Sequence, residues 1–158
     1  MKRYKPKFEE EWLERDMRPP SSVSEAVSRS MKGNVAKGTK PEVMFRQALR
    51  EAGLSGYRLN WKKAPGRPDI SYPGRKIAIF INGCYWHRCP FCKPSTPKRN
   101  VDYWTWKFER NKERDKRKKR DLKRAGWKVF VFWECQIKKN EKKLALQIKN
   151  FMSMNVKI

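Results

Sequence analysis

Three of the four cysteines in this chain follow directly behind its most strand-like apolar stretch. The segment KIAIFIN, residues 76–82, is apolar and β-branched, a pattern typical of a central strand that is buried on both faces. The sequence GCYWHRCPFC at 83–92 then places three cysteines in one cluster, with Gly83 and Pro90 as turn residues. A metal ion held by these thiols would fix the end of the strand, so this stretch constrains the fold more than any other.

The fourth cysteine, Cys135, follows a second apolar segment, WKVFVFW at 127–133, which also has the character of a central strand. If the two strands lie near each other, their ends bring Cys135 to the cluster. Four thiolates make a closed tetrahedral zinc site, which is structural because no coordination position stays open. We therefore predict a structural zinc site with the ligands Cys84, Cys89, Cys92 and Cys135. The alternatives are buried free thiols, or a site in which His87 replaces one cysteine.

Capping and turn residues divide the rest of the chain into elements. The pattern predicts a short helix opened by a capping box at Ser22 and Glu25, and a second helix opened by a box at Thr39 and Glu42 and ended by Gly53. Strands at 57–61 and 70–72 follow, and then a tight turn at Pro73 and Gly74. Towards the C-terminus the pattern predicts a helix at 101–124 capped by Asn100 and a last helix at 141–152. A strand, a crossover helix and another apolar strand predict an α/β fold, a mixed sheet flanked by helices. We expect one domain over residues 21–158, preceded by an arm at 1–20.

The charge of the chain points to a polyanionic partner. Forty Lys and Arg residues against sixteen Asp and Glu residues give a formal net charge of +24, an excess that repels itself in the folded state. Nucleic acid is the first candidate and an anionic membrane surface the second, although no strongly amphipathic basic helix supports the latter. The sequence has no apolar run of about 18 residues and no apolar signal-peptide core at its N-terminus. We expect a cytoplasmic, nucleoid-associated protein that acts as a monomer.

Asp69 and His87 are suited to hydrolytic chemistry. Asp69 follows Pro68 at the mouth of a strand, and a carboxylate there is a natural Mg²⁺ ligand. The alternative is an aspartate that caps its turn. His87 is the only histidine, and histidine side chains transfer protons near neutral pH. The alternative is a zinc ligand or a packed ring.

Several other residues carry both a functional and a structural interpretation. Glu42 completes a capping box, and Asp115 can pair with Lys119 on a solvated helix. The aromatic side chains beside the basic loops can stack on bases or wedge between them, although core packing is commoner for tryptophan. These aromatic residues are Tyr85, Trp86, Tyr103, Trp104 and Trp106.

The motifs PGRPD, FINGCYWHRCPFC, VDYW, ERNKERD and GWKVFVFWEC together resemble the very short patch repair (Vsr) DNA mismatch endonucleases. The upstream segment SRSMKGNVAKGTKPE is also similar to that family, so the resemblance spans roughly residues 28–136. It implies a restriction-endonuclease-like fold. It also implies a strand-specific nick beside the thymine of a T:G mismatch, the mispair left when 5-methylcytosine deaminates.

The resemblance further implies roles for individual residues. Mg²⁺ binds Asp69 and the backbone carbonyl of Ile81; His87 assists proton transfer; Glu42 and Asp115 complete the site. The residues expected to contact or wedge into the DNA are Met31, Lys32, Arg67, Tyr85, Trp86 and Trp104. The family's zinc ligands match the four cysteines.

Three positions depart from the family pattern. Ile81 replaces a polar residue found in some members, but a carbonyl ligand does not need the side chain. Asn82 stands where others carry His or Asp, which leaves its role open. Cys89 stands where some members use a histidine to bind zinc.

The prediction is therefore a Mg²⁺-dependent, zinc-stabilised endonuclease whose partner is mismatched double-stranded DNA. Two alternatives remain. One is a nuclease of the same fold with another specificity, such as a nickase of a mobile element. The other is a zinc-stabilised nucleic-acid-binding module without catalysis, which explains the charge, the cysteines and the aromatic residues but leaves Asp69 and His87 without a role.

Overall fold

A four-stranded mixed sheet organises the chain. The computed structural model describes residues 37–155 and, before them, residues 17, 18, 25, 26 and 29. The strands lie side by side in chain order: β1 (Arg58–Leu59), β2 (Ile70–Tyr72), β3 (Ile77–Asn82) and β4 (Lys128–Trp133). Neighbours from β1 to β3 are antiparallel, whereas β3 and β4 are parallel. This arrangement confirms the predicted mixed sheet, although β1 is shorter than the expected strand at 57–61.

The parallel pair sets the position of the cysteines. Ile77 lies opposite Lys128 and Asn82 opposite Trp133, so β3 and β4 end at the same edge of the sheet. The segments that follow both strands therefore start side by side. The predicted central character holds for β3 but is wrong for β4, which has a strand neighbour on one side only among the described residues. Its apolar side chains pack in the cores on the two faces of the sheet.

Helices cover both faces of the sheet. They are α1 (Lys40–Glu51), α2 (Val101–Arg124) and α3 (Glu134–Met154). The first core lies between the sheet and the pair α1 and α3, where Phe45, Ile79, Phe132 and Ile148 are buried. The second core lies against α2, where Ala78, Phe80 and Leu122 are buried. Alternate residues of β3 enter opposite cores, as the period of two in a strand requires.

The last helix begins earlier than predicted. It starts at Glu134 instead of residue 141, and the Gln136 side chain accepts a hydrogen bond of 3.0 Å from the Trp133 backbone N–H. Asn140 interrupts the helix with φ −164° and ψ 79°. The Asn140 side chain then accepts a hydrogen bond of 2.9 Å from Lys143 N–H, which caps the second segment. The predicted start at 141 therefore marks the second of two helical segments, which follows the interruption at Asn140.

Two predicted local features differ. Asn100 precedes α2 but has φ 52°, and its side chain makes no capping hydrogen bond, because a left-handed residue does not aim its side chain at the helix N-terminus. The expected tight turn at Pro73 and Gly74 is a short 3₁₀ helix, Pro73–Arg75.

Some predictions fall largely or wholly outside the described residues, namely those for the arm at 1–20, for the capping box at Ser22, and for Met31 and Lys32. Of the predicted first helix, the structure describes Glu25, Ala26 and Arg29, which are helical.

Within the described part of the chain, no helix is both long enough and apolar enough to cross a bilayer. The relation of this sheet to restriction endonucleases stays a prediction.

Candidate functional site

A cleft of about 690 Å³ opens where α1 and α2 meet the sheet beside the end of β3. It is lined by most of the residues that the sequence singled out, namely Glu42, Arg67, Asp69, Ile81, Asn82, Trp86, His87 and Asp115. The structure thus brings the proposed metal ligands and the proposed proton-transfer residue to one place. Their catalytic roles stay predictions.

Asp69 is fixed by the neighbouring strand. Its Oδ2 atom accepts a hydrogen bond of 2.7 Å from the backbone N–H of Ile81. Burial raises the pKa of Asp69 to about 6, the Ile81 hydrogen bond opposes the rise, and the negative charge of Glu42 adds to it. Two carboxylates therefore act on each other across this cleft, and at neutral pH the arrangement favours a bound cation.

Glu42 enters the cleft from the first turn of α1 and is only 9% exposed. Its Oε2 accepts a hydrogen bond of 2.9 Å from Gly38 N–H, and its Oε1 accepts one of 3.0 Å from the Thr39 hydroxyl. The predicted capping box is wrong in detail, because the Thr39 side chain binds the carboxylate and makes no cap hydrogen bond. Glu42 instead ties the loop before α1 to the cleft.

His87 and Asp115 form a pair. His87 Nδ1 lies 2.5 Å from Asp115 Oδ2. The histidine comes from the turn after β3, where its N–H donates to the Gly83 carbonyl at 3.2 Å, and the aspartate comes from the middle of α2. An aspartate at Nδ1 fixes the orientation of the ring and leaves Nε2 for proton exchange. Asp115 therefore pairs with His87. The alternative prediction, an ion pair with Lys119 on a solvated helix, is wrong.

Asn111 joins the histidine turn to α2. It is 7% exposed, and its Nδ2 donates a hydrogen bond of 3.0 Å to the Trp86 carbonyl. Its Oδ1 accepts a hydrogen bond of 2.8 Å from Arg114. A buried amide satisfied on both ends is a rigid link, so the backbone beside His87 is held against the helix that carries Asp115.

The four cysteines meet beyond the same edge of the sheet. Their sulfur atoms all lie within 4.8 Å of one another, and Cys89 Sγ is 3.7 Å from Cys135 Sγ. Zinc–sulfur bonds of about 2.3 Å place tetrahedral sulfurs about 3.8 Å apart, so the spacing suits this ion. Cys135 N–H also donates to Cys84 Sγ at 3.3 Å, an outer contact of the kind that orients metal-bound thiolates.

Burial raises the pKa of the Cys84 thiol, so four thiolates at this spot need a cation to hold them. In the described part of the chain the cluster of potential metal ligands consists of the four cysteines and does not include His87, whose Nδ1 is engaged by Asp115. The donors thus favour an all-cysteine zinc site over the alternative with histidine.

The aromatic side chains form one cluster between the histidine turn and α2. The Tyr85 and Trp86 rings lie 5.1 Å apart, and Trp104 lies 6.3 Å from Tyr85 and 6.0 Å from Trp86. All three are partly exposed, whereas Tyr103 and Trp106 are buried. Of the three, Trp86 alone also lines the cleft. The inner rings therefore pack in the core, whereas the outer ones form a partly exposed edge beside the cleft, and their contact with bases stays a prediction.

Comparison with known proteins agrees with these motifs. The family model described as DNA mismatch endonuclease Vsr matches residues 23–93. The DNA mismatch endonuclease Vsr of Escherichia coli is 31% identical over 115 residues, which cover 73% of this chain and 73% of that protein. This chain belongs to the Vsr family of DNA mismatch endonucleases.

Other relatives carry a different description. The type II nicking enzyme V.XorIIP of Xanthomonas oryzae is 40% identical over 102 residues, 65% of this chain and 74% of that protein. The type II nicking enzyme V.NmeAIP of Neisseria meningitidis is 42% identical over 103 residues, 65% of this chain and 73% of that protein. Membership of the Vsr family makes this chain a DNA endonuclease and sets aside a binding module without catalysis.

Sequence reasoning missed several polar residues of this Vsr-family cleft. They are Lys107, Asn111, Arg114, Lys118 and Glu134. Four of them lie on α2. Lys107, Asn111 and Lys118 recur at helical spacing from Asp115, so that spacing would have found them, whereas Arg114 is the residue next to this aspartate. Glu134 directly precedes Cys135 and accepts a hydrogen bond of 3.4 Å from Cys84 N–H. A hydrogen bond and ion pair with Lys138 lowers the pKa of Glu134, so this carboxylate stays charged between the cysteine cluster and the cleft.

Proposed function

We propose that this Vsr-family endonuclease is Mg²⁺-dependent and nicks one strand of duplex DNA beside the thymine of a T:G mismatch. The observation that carries the proposal is that Asp69 and the paired His87 and Asp115 line the same cleft. We further propose that residues 21–158 act as one domain, in a restriction-endonuclease-like arrangement, and as a monomer.

The cleft residues fit a magnesium ion. Asp69 and the Ile81 carbonyl would hold it, with Glu42 as a further acid, and carboxylate and carbonyl oxygens are the ligands Mg²⁺ takes in proteins. The fit rests on the shared cleft, which Asp69, Glu42 and Ile81 all line. Burial, and to a lesser degree the charge of Glu42, raises the pKa of Asp69, and a bound cation would offset both effects. When bound, Mg²⁺ would neutralise charge on the scissile phosphate.

His87 would move the proton. Asp115 holds Nδ1 and stabilises the ring when it is charged, so Nε2 is the atom that takes a proton from water or gives one to the leaving oxygen. The Asn111 link to the Trp86 carbonyl keeps this turn in place while DNA binds. A water oxygen bonds to phosphorus, one phosphorus–sugar-oxygen bond breaks, and that sugar oxygen receives a proton.

The outer aromatic rings would read the mispair. Tyr85, Trp86 and Trp104 are partly exposed at the rim, and inserting rings between base pairs costs a few kcal/mol of unstacking, least where the pairing is already weak. Arg67, which lines the cleft and is exposed, would contact the backbone phosphates. The net charge of +24 supports binding that weakens steeply with salt.

A second specificity is favoured by the relatives that are described as type II nicking enzymes. In that case the cleft performs the same hydrolysis, but the duplex that it selects is not a T:G mismatch. The chemistry and the recognition therefore need separate tests.

The deciding experiment compares two duplexes of equal sequence that differ only in carrying T:G or T:A. Each strand is end-labelled, and nicking is followed with and without Mg²⁺. We expect Mg²⁺-dependent nicking of the thymine strand of the T:G duplex only. Equal nicking of both duplexes would refute the mismatch specificity, and nicking without any divalent ion would refute the metal dependence.

The variant Asp69→Asn tests the site itself. It keeps an acceptor for the Ile81 N–H but removes the charge, so we expect DNA binding to persist and nicking to be lost. Glu51→Gln is the matched control, because Glu51 is an exposed acid on α1 that does not line the cleft. Nicking at the wild-type rate by Asp69→Asn would move the active site elsewhere.

A further inference from the structure

Lys118 is a cation in the wall of the cleft that no role assigned so far uses. It lies on α2 three residues beyond Asp115, so the two side chains leave the helix on the same face. It lines both the main cleft and a small adjoining cavity, which it shares with Phe80, Asn82 and Asp115. Its charge lowers the pKa of Asp69, which places its ammonium group near that carboxylate.

The stem of Lys118 is clamped. Gly66 has φ +73°, and a Cβ atom built there would come within 2.8 Å of both Cβ and Cγ of Lys118. The turn that leads to Asp69 therefore crosses directly over the lysine stem and needs glycine at this point. Farther along, Nζ lies 5.9 Å from the centre of the Phe80 ring. A lysine packed along its stem loses little further rotamer freedom when its head group binds a ligand.

Other lysines of α2 are placed differently. Lys116 is exposed and pairs with Glu113 at 2.6 Å, and Lys112 pairs with Glu109 at 2.7 Å. These ion pairs are solvated features of the outer face of the helix. Lys118 is half-buried in the cleft instead, near enough to Asp69 for its charge to lower the pKa of that carboxyl. A charge there acts through a lower dielectric than on the surface.

We propose that Lys118 is a catalytic residue of the nicking reaction, whose ammonium group binds a non-bridging oxygen of the scissile phosphate and stabilises the transition state. The proposal rests on the cleft being the active site, as proposed above. When water attacks phosphorus, the phosphoryl oxygens gain negative charge before the sugar oxygen leaves. A fixed cation beside them is stabilising at that point. Lys118 keeps all its protons throughout, since His87 handles the transfer.

The test replaces Lys118 with Met, which keeps an unbranched stem against Gly66 and Phe80 but removes the charge. Lys118→Arg restores a cation, and Lys116→Met removes the same charge from the outer face of the same helix. Single-turnover nicking is measured at saturating enzyme on whichever duplex the wild-type protein nicks fastest. The Kd for that duplex is measured separately without Mg²⁺.

We expect Lys118→Met to lower the single-turnover rate about a hundredfold, the scale of losing one pre-organised donor to a transition state. Its Kd should stay within about threefold of that of Lys116→Met, because each variant loses one positive charge. Lys118→Arg should recover at least about a tenth of the wild-type rate. Equal rates for Lys118→Met and Lys116→Met would overturn the proposal. A rate that returns to the wild-type value as enzyme is raised would also overturn it, since Lys118 would then only bind DNA.

Two further variants keep the test decisive. Lys118→Gln replaces the methionine variant if the melting temperature of the latter falls, and the same rate criterion applies to it. Asp69→Asn is assayed alongside. A wild-type rate in Asp69→Asn would remove the proposed active site as a whole. An inactive Asp69→Asn beside a fully active Lys118→Met would remove only the role of Lys118.

Discussion

Asp69 accepts a 2.7 Å hydrogen bond from the backbone N–H of Ile81, and this contact sets the carboxylate against the end of β3. The same burial that fixes the group raises its pKa from 3.8 to about 6. Folding therefore costs free energy whenever Asp69 must be ionised in the native state. A cation bound beside Asp69 would offset this cost, because it stabilises the ionised carboxylate.

The first prediction concerns stability. The folded protein holds the Asp69 proton more tightly than the unfolded chain does, so stability from this group is greatest below about pH 4. It is lost as the pH rises towards about 6, and stays lost above that. In the absence of divalent ions, Asp69→Asn should stabilise the protein, by about 2 kcal/mol more at neutral pH than near pH 4.5. Denaturant unfolding of both proteins at the two pH values measures the difference.

Glu51→Gln serves as the control for that measurement, since Glu51 is exposed and outside the cleft. Its effect on stability should be small and nearly constant across the same range. A stabilisation by Asp69→Asn that did not grow with pH would show that Asp69 is not destabilised by its surroundings.

The second prediction concerns the pair of His87 and Asp115. Asp115→Asn keeps the size of the side chain but removes the charge that stabilises a protonated ring. We expect the single-turnover nicking rate to fall at least about a hundredfold, with DNA affinity almost unchanged. Asp121→Asn is the control on the same helix, because Asp121 pairs with Arg120 on the outer face. Comparable rates for the two variants would mean that Asp115 does not support proton transfer.

Much of the fold could be predicted because its strongest signals are local. The apolar runs of β3 and β4 and the glycine after α2 mark their elements without tertiary information. The meeting of the cysteines followed from one topological inference, that the two strands end together. The start of α3 was missed because residues 134–140 show neither an apolar stripe nor a glycine or proline boundary; only Gln136 at the third helical position carried a signal.

The interior of the cleft was less predictable for a different reason. The middle of α2 is charged on every side, so composition cannot tell which charges face the site and which face water. Lys116 and Lys118 look equivalent in the sequence, yet one is paired on the surface and the other is clamped under Gly66. That difference arises from the turn at 65–68 crossing the helix, a contact between segments about fifty residues apart.

The third prediction concerns zinc. We expect the purified protein to contain about one zinc ion per chain, because the four sulfur atoms lie within 4.8 Å of one another, close enough to bind a single ion. Chelation should lower the melting temperature by about 10 °C or more and abolish nicking, since the ion joins the ends of β3 and β4. Readdition of zinc should restore the melting temperature, and zinc together with Mg²⁺, but not Mg²⁺ alone, should restore nicking. Removing Mg²⁺ alone should stop nicking without a comparable fall in the melting temperature. Melting curves recorded with each metal removed in turn therefore distinguish the structural role of zinc from the catalytic role of Mg²⁺.

The last prediction concerns recognition. Trp86 belongs both to the partly exposed aromatic cluster and to the wall of the cleft, and its backbone contact with Asn111 does not depend on the side chain. Trp86→Ala should therefore leave the turn in place but reduce the preference for a T:G over a T:A duplex by about tenfold, the scale of one stacking contact. Competition binding with the two duplexes measures this ratio. Phe91→Ala is the matched control, because Phe91 is 64% exposed and lies outside both the cluster and the cleft. If both variants kept the wild-type ratio, mismatch selection would have to come from the polar groups inside the cleft, with the aromatic rim serving only to pack the histidine turn on α2.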